Sequence, residues 1–115
     1  MPTSPSERIV GAATAWPGVT TAHGSRGELS IRAGKREIGH LHGDHAAHFA
    51  FPKDTGRVLR AQGRVGPHPV FPDRDAWAAR RIAGDADVED VIALLRLNYD
   101  RAVARHGVPE VPATL

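Results

Sequence analysis

The stretch Arg36–His48, REIGHLHGDHAAH, decides how this chain is interpreted, because it joins a strand pattern to four of the seven histidines. His40 and His42 are two residues apart. In an extended strand that spacing puts both imidazoles on one face, roughly 7 Å apart along the chain. The stretch therefore predicts a central strand on which two histidines share a face.

A β-hairpin is predicted to contain this strand. Glu28–Arg32 alternates polar and apolar residues, Ala33–Lys35 is typical of a turn, and Arg36–His42 forms the returning strand. The histidines would then lie in the second arm of the hairpin, and a third strand would follow them.

The register of the hairpin decides what the histidines face. With a loop of two or four residues, Leu29 and Ile31 lie on the same face as His40 and His42. A loop of three residues puts the histidines on the opposite face. We favour the first pairing, because the alternative core face has Gly39 near its centre and offers little apolar surface.

The remaining patterns predict an α+β domain. Ser4 and Glu7 form a capping box for the first helix, and Asp54 is the expected cap of the second. The predicted elements are helices at Ser4 to about Trp16, Lys53–Gln62 and Asp85 to about Arg105, with strands at Glu28–Arg32, Arg36–His42, His45–Phe51 and Ala76–Ala83. The order is α-β-β-β-α-β-α, with an antiparallel sheet of about four strands and the helices segregated from it.

Length and composition exclude several classes of protein. The 115 residues fit a single domain, 1–115, and the absence of cysteine excludes disulfides, thiolate metal sites and cysteine nucleophiles. No apolar run approaches the ~20 residues that span a bilayer, and no signal peptide is visible. We therefore expect a cytoplasmic protein without a membrane partner. The net charge of +2 is weak support for nucleic-acid binding.

Three kinds of chemistry fit the histidines and arginines. A metal site would use His40 and His42 together with His45, His48 or His68. Metal-free acid–base catalysis would use the same imidazoles, one of them oriented by a carboxylate. A nucleic-acid surface would use five arginines, although a solvated helix face explains them better: Arg57, Arg60, Arg64, Arg80 and Arg81.

The chain resembles the luciferase domain of fungal bioluminescence and the small bacterial proteins that share it. The similarity lies in Arg36–His42 (REIGHLH), in Gly66–Pro69 (GPHP), and in a tryptophan strand before a helix with a Leu-x-x-x-Tyr pattern. It covers about residues 27–103. The fungal enzymes oxidise a 3-hydroxy-α-pyrone (3-hydroxyhispidin) with molecular oxygen, with loss of carbon dioxide and emission of light. For this chain the resemblance implies a pocket for a planar, acidic, electron-rich substrate whose enolate reacts with oxygen.

The resemblance also implies roles for particular residues. By matching position, the catalytic candidates are His40, His42 and His68, with Glu37 and Arg36 beside them. The metal alternative, which comes from the residues themselves, would use His40, His42 and His68. The residues assigned to substrate contact are His45, Trp77 and Phe49. His48 does not fall at the fungal spacing. The expected partners are a small-molecule substrate and oxygen, with no flavin or nicotinamide cofactor.

One alternative remains open at this point. The order of elements is similar to that of small α+β domains of the MmcQ/YjbR type, for which DNA binding has been suggested. The chain would then be a non-catalytic module that binds a small molecule or nucleic acid. Topology alone does not carry function, so this alternative depends on what the histidines and arginines contact.

Overall fold

Three helices and six strands make up residues 3–110, the part of the chain that the computed structural model describes. The helices are α1 (Pro5–Thr14), α2 (Lys53–Ala61) and α3 (Asp85–His106). The strands are β1 (Val19–His23), β2 (Leu29–Ala33), β3 (Arg36–His42), β4 (Ala46–Ala50), β5 (Gly66–Pro67) and β6 (Trp77–Arg81). All pairings in the sheet are antiparallel, in the order β1-β2-β3-β4-β6-β5.

The predicted α+β class is confirmed, with six strands instead of about four. The two further strands lie at the edges of the sheet. β1 follows the Trp16–Gly18 turn, and only Val19 among its residues is buried, so its alternation is weak. β5 consists of Gly66 and Pro67 alone, inside a proline-rich connection that carries no strand pattern. Each pairs with a strand that the sequence did predict, β1 with β2 and β5 with β6.

Two of the three helix starts follow from capping. The Ser4 hydroxyl accepts the Glu7 backbone N–H, and the Glu7 carboxylate accepts that of Ser4, as predicted. At α3 the Asp87 carboxylate accepts the backbone N–H groups of Ala83 and Gly84. The expected cap of α2, Asp54, is wrong: the N-cap residue is Pro52, and no side chain bonds there. Within residues 3–110, no helix combines the length and apolarity that a bilayer crossing requires.

The core lies between one face of the sheet and the helices. Ile31, Leu41 and Phe49 point into it from three adjacent strands, and each exposes at most 2% of its surface. Leu94 and Leu95 of α3 are fully buried in the same cluster. This face of the sheet is therefore apolar and covered.

The favoured register of the hairpin is wrong, although the loop has two residues as that register required. Ala33 pairs with Arg36 across the loop, but a β-bulge shifts the pairing between Ile31 and Arg32, so that Ile31 lies opposite Gly39. The bulge turns His40 and His42 away from the core.

Gly39 suits this core position because it has no side chain. A Cβ there would lie 2.6 Å from Leu95 Cδ2 and 3.1 Å from Phe49 Cδ1, so these two side chains occupy the space that a larger residue would need. The core face is therefore well packed at Gly39, the position where the sequence indicated little apolar surface.

Candidate active site

Four imidazole rings meet on the face of the sheet that points away from the core. The ring centroids of His42 and His48 are 4.3 Å apart, and those of His40 and His48 are 5.2 Å apart. His68 extends the group, with its centroid 4.6 Å from that of His48. We call the surface that carries His40, His42, His48 and His68 the histidine face.

Strand pairing explains why these side chains converge. His40 of β3 lies directly opposite His48 of β4, and His48 lies opposite Ala79 of β6. Ala79 in turn pairs with Gly66 of β5, which brings the chain just before His68 to the same row. Because paired residues of antiparallel strands share a face, histidines far apart in sequence become neighbours. His42 is exposed and His48 is buried, so the group opens to solvent at one end.

A carboxylate orients His40. The Nδ1 atom of His40 lies 3.1 Å from Glu37 Oε2, and the hydroxyl of Ser30 donates to Glu37 Oε1 at 2.8 Å. Arg32 Nε in turn donates to the Ser30 hydroxyl. Since an ionised carboxylate only accepts hydrogen bonds, the proton of neutral His40 lies on Nδ1 and the lone pair lies on Nε2.

Burial keeps the imidazoles of His42, His48 and His68 neutral. Burial, followed by the nearby His42, His68 and His40 rings, lowers the pKa of His48 to about 4. Burial is also the main cause of the lowered pKa values of His42 and His68. The hydrogen bond from His40 is the main cause of the lowered pKa of Glu37. At neutral pH, His42, His48 and His68 are therefore uncharged nitrogen donors beside an ionised carboxylate.

His68 and two aromatic side chains form one border of the histidine face. The backbone N–H of Val70 donates to His68 Nδ1, so neutral His68 carries its proton on Nε2. Its ring centroid lies 5.5 Å from that of Phe71 and 5.7 Å from that of Trp77. Phe71 is 39% exposed, which leaves apolar ring surface accessible beside the imidazoles.

The family model for the luciferase domain matches residues 35–98, more than half of the chain. The chain belongs to the luciferase-domain family. The match confirms the resemblance and includes all four residues of the histidine face. No curated protein and no solved structure shows a significant match to this chain.

Not every predicted site residue of this luciferase domain joins the histidine face. His40, His42, His68, Glu37 and Trp77 lie there. Phe49 is buried on the opposite face, beneath Gly39, and that position excludes the predicted contact with a substrate beside the histidines. Successive side chains of a strand point to opposite faces. His48 points to the open face, so the next residue, Phe49, points into the core.

His45 and Arg36 also lie apart from the four rings. His45 is exposed in the turn between β3 and β4. Arg36 pairs with Ala33 and borders a cleft of about 360 Å³ beside the end of α3, together with Arg101, Arg105 and His106. Glu37 borders the same cleft and is hydrogen-bonded to His40, so it lies between Arg36 and the four rings.

The central position of His48 was not predicted, because the sequence offered this residue only as one alternative for a third metal ligand. It lies at the centre of the group, with ring contacts to His40, His42 and His68. The predicted third strand already put Ala47 and Phe49 on one side, which left His48 on the other. The alternation of side chains along that strand could have placed His48 beside His40 and His42. The inference also required the correct register of the preceding hairpin.

The predicted arginine surface is largely neutralised by aspartates. Four of its five members form ion pairs with aspartates: Arg57 with Asp54 and Asp75, Arg60 with Asp75, Arg64 with Asp90, and Arg80 with Asp87 and Asp90. Arginines held in this way are poorly available for phosphate contacts.

Proposed function

We propose that this luciferase-domain protein is an oxygen-dependent oxidoreductase that acts on a planar hydroxy-pyrone or phenolic small molecule at the histidine face. The single observation that carries the proposal is the convergence of four imidazoles inside the matched region, one of them hydrogen-bonded to an ionised carboxylate. Such a surface suits a substrate with an acidic hydroxyl group.

The first chemical step is removal of the hydroxyl proton. His40 Nε2 accepts it in the metal-free protein, and Glu37 stabilises the resulting imidazolium through Nδ1–H. His68, whose proton lies on Nε2, is a neutral donor suited to the developing oxyanion. The exposed ring of Phe71 and the neighbouring Trp77 offer stacking surface to a flat substrate.

The second step is reaction of the anion with oxygen. The electron-rich anion transfers one electron to O2, and the two radicals combine to form a hydroperoxide. The substrate is thereby oxidised by two electrons and O2 is reduced to the peroxide level. The proton on His40 goes to the terminal peroxide oxygen, so atoms, charge and electrons balance and no organic cofactor is consumed.

Oxygen uptake tests the proposal. Untagged protein and 3-hydroxyhispidin in an oxygen-electrode cell should consume O2 in proportion to protein concentration. We expect His40→Ala to lower the rate ~10²–10⁴-fold, the usual contribution of a positioned acid–base group. His23→Ala is the matched control, because His23 is an exposed histidine of β1 outside the histidine face, and it should retain the full rate.

Two outcomes would contradict the proposal. Unchanged uptake in His40→Ala would remove the assigned base. Saturable binding of the pyrone without any uptake would identify a non-catalytic binding module, which is the alternative that the element order suggested.

A further inference from the structure

The ligand nitrogens of three imidazoles on the histidine face lie close enough to share one ion. His40, His42 and His48 each offer one ring nitrogen, and these atoms all lie within 4.8 Å of one another. We propose that His40, His42 and His48 bind a single divalent transition-metal ion. Tetrahedral zinc–nitrogen geometry separates such nitrogens by ~3.4 Å, so the rings need to approach by ~1.4 Å at most.

The surroundings of His40 match those of a metal ligand. Metal-bound histidines commonly donate their second ring N–H to a carboxylate, which fixes the tautomer and makes the ligand more basic. Glu37 accepts the Nδ1 proton of His40, which directs the Nε2 lone pair outward as a ligand. Ser30 and Arg32 hold Glu37 in turn, so the carboxylate is anchored from the neighbouring strand.

The donor set selects the class of ion. Three nitrogens with no carboxylate or thiolate suit Zn²⁺, Fe²⁺ or Co²⁺, whereas Mg²⁺ and Ca²⁺ prefer oxygen ligands. Three protein ligands leave at least one coordination position, and the exposure of His42 opens that position to solvent. The site is therefore of the open type that accepts a small molecule.

His68 is not among the proposed ligands, although the sequence suggested it together with His40 and His42. Its Nδ1 atom accepts the Val70 N–H, and its proton on Nε2 blocks the other lone pair. His48 takes the place predicted for His68, and His68 lies beside the ion site as a hydrogen-bond donor.

Metal binding itself does not depend on the proposed function; only its catalytic consequence rests on that function. A bound cation would supply Lewis-acid stabilisation of the ionised substrate hydroxyl, the charge that His40 and Glu37 stabilise in the metal-free protein. The binding experiment below contains no substrate, so its failure and the failure of the oxygen-uptake experiment are separate results.

Co²⁺ is the probe, because its visible absorption reports nitrogen coordination. Untagged protein treated with a chelator is titrated with CoCl2 and then with competing ZnCl2. We expect one equivalent to bind, with displacement by Zn²⁺ and none by excess Mg²⁺. His42→Ala and His48→Ala should weaken Co²⁺ binding ~100-fold or more, and Glu37→Gln ~10–100-fold.

Two variants serve as controls for the ligand set. His68→Ala should keep Co²⁺ affinity within a few-fold of the unmodified protein, and so should His23→Ala. Circular dichroism checks that each variant folds. If the variant His48→Ala, at a buried position, does not fold, the Co²⁺ affinity of His42→Ala, at an exposed position, tests the ligand set by itself. Co²⁺ bound no more tightly by the unmodified protein than by His42→Ala overturns the proposal, and so does a loss in His68→Ala as large as that in His42→Ala.

Discussion

Leu41 and His42 are consecutive residues of β3, yet they belong to surfaces held by different forces. Leu41 is 1% exposed in the apolar core, whereas His42 is exposed on the histidine face. The core face is stabilised by removal of apolar surface from water. The histidine face carries polar rings whose nitrogens remain available for ligands. The sheet therefore separates stability from chemistry, one face for each.

Neighbouring substitutions in β3 should give the largest contrast. We expect Leu41→Ala to lower the free energy of unfolding by ~2–5 kcal/mol, because it leaves a cavity between β2, β4 and α3. His42→Ala should change it by less than ~0.5 kcal/mol, as is usual for exposed positions. Urea denaturation measures both, and equal losses would mean that the two faces are not energetically distinct.

A side chain added on the core face tests the β-bulge register. Gly39→Val should cost ~1–3 kcal/mol, because its Cβ would overlap Leu95 and press on Phe49. In a double-mutant cycle, the smaller change Gly39→Ala should cost less when Leu95→Ala has already made room. Purely additive losses would argue that residue 39 does not point at Leu95.

Acid should lower the free energy of unfolding through the histidine face, because its imidazoles titrate and the apolar side chains of the core face do not. The pKa of His48 is lowered to about 4 in the folded protein, so between pH 6.5 and about 4 the unfolded chain binds more protons. In metal-free protein the free energy of unfolding should therefore fall as the pH falls through this window. His48→Gln should flatten that dependence and His23→Gln should not; an unchanged slope in His48→Gln would contradict the assignment.

The smallest expected effect belongs to the hydrogen bonds behind His40. Ser30→Ala removes the hydroxyl that links Glu37 to Arg32 and should lower the free energy of unfolding by ~0.5–1.5 kcal/mol. The substitution should also leave the Glu37 carboxylate, and with it the His40 ring, less firmly oriented. This should broaden the imidazole nitrogen signals of His40 in NMR spectra. Sharp, unshifted signals would show that Glu37 needs no help from Ser30.

The sequence was sufficient for the parts of the fold that follow local rules. The capping box at Ser4, the turn at Ala33–Lys35 and the helix that begins at Asp85 all depend on neighbours in the chain, and all three agree with the structure. The α+β class follows from those elements.

The site was only half predictable, because it depends on one non-local detail. Loop length left two registers open, and the small apolar surface around Gly39 favoured the one with His40 and His42 on the core face. The β-bulge before His40 gives the opposite result. Contacts with other elements stabilise the bulge. Phe49 and Leu95 fill the space on the core side of Gly39, and Asn98 donates to the Ile38 carbonyl. No pattern within β2 and β3 contains those contacts, so the sequence offered His48 only as one of three alternatives for a third metal ligand.

The two tryptophans allow a direct test of whether the ligand binds at the histidine face. Trp77 lies beside His68, whereas Trp16 packs against Tyr99 on the helical side. In an NMR titration of ¹⁵N-labelled protein with 3-hydroxyhispidin under anaerobic conditions, we expect the Trp77 indole N–H signal to shift and the Trp16 signal to stay unchanged. A shift at Trp16 with Trp77 unchanged would contradict this expectation.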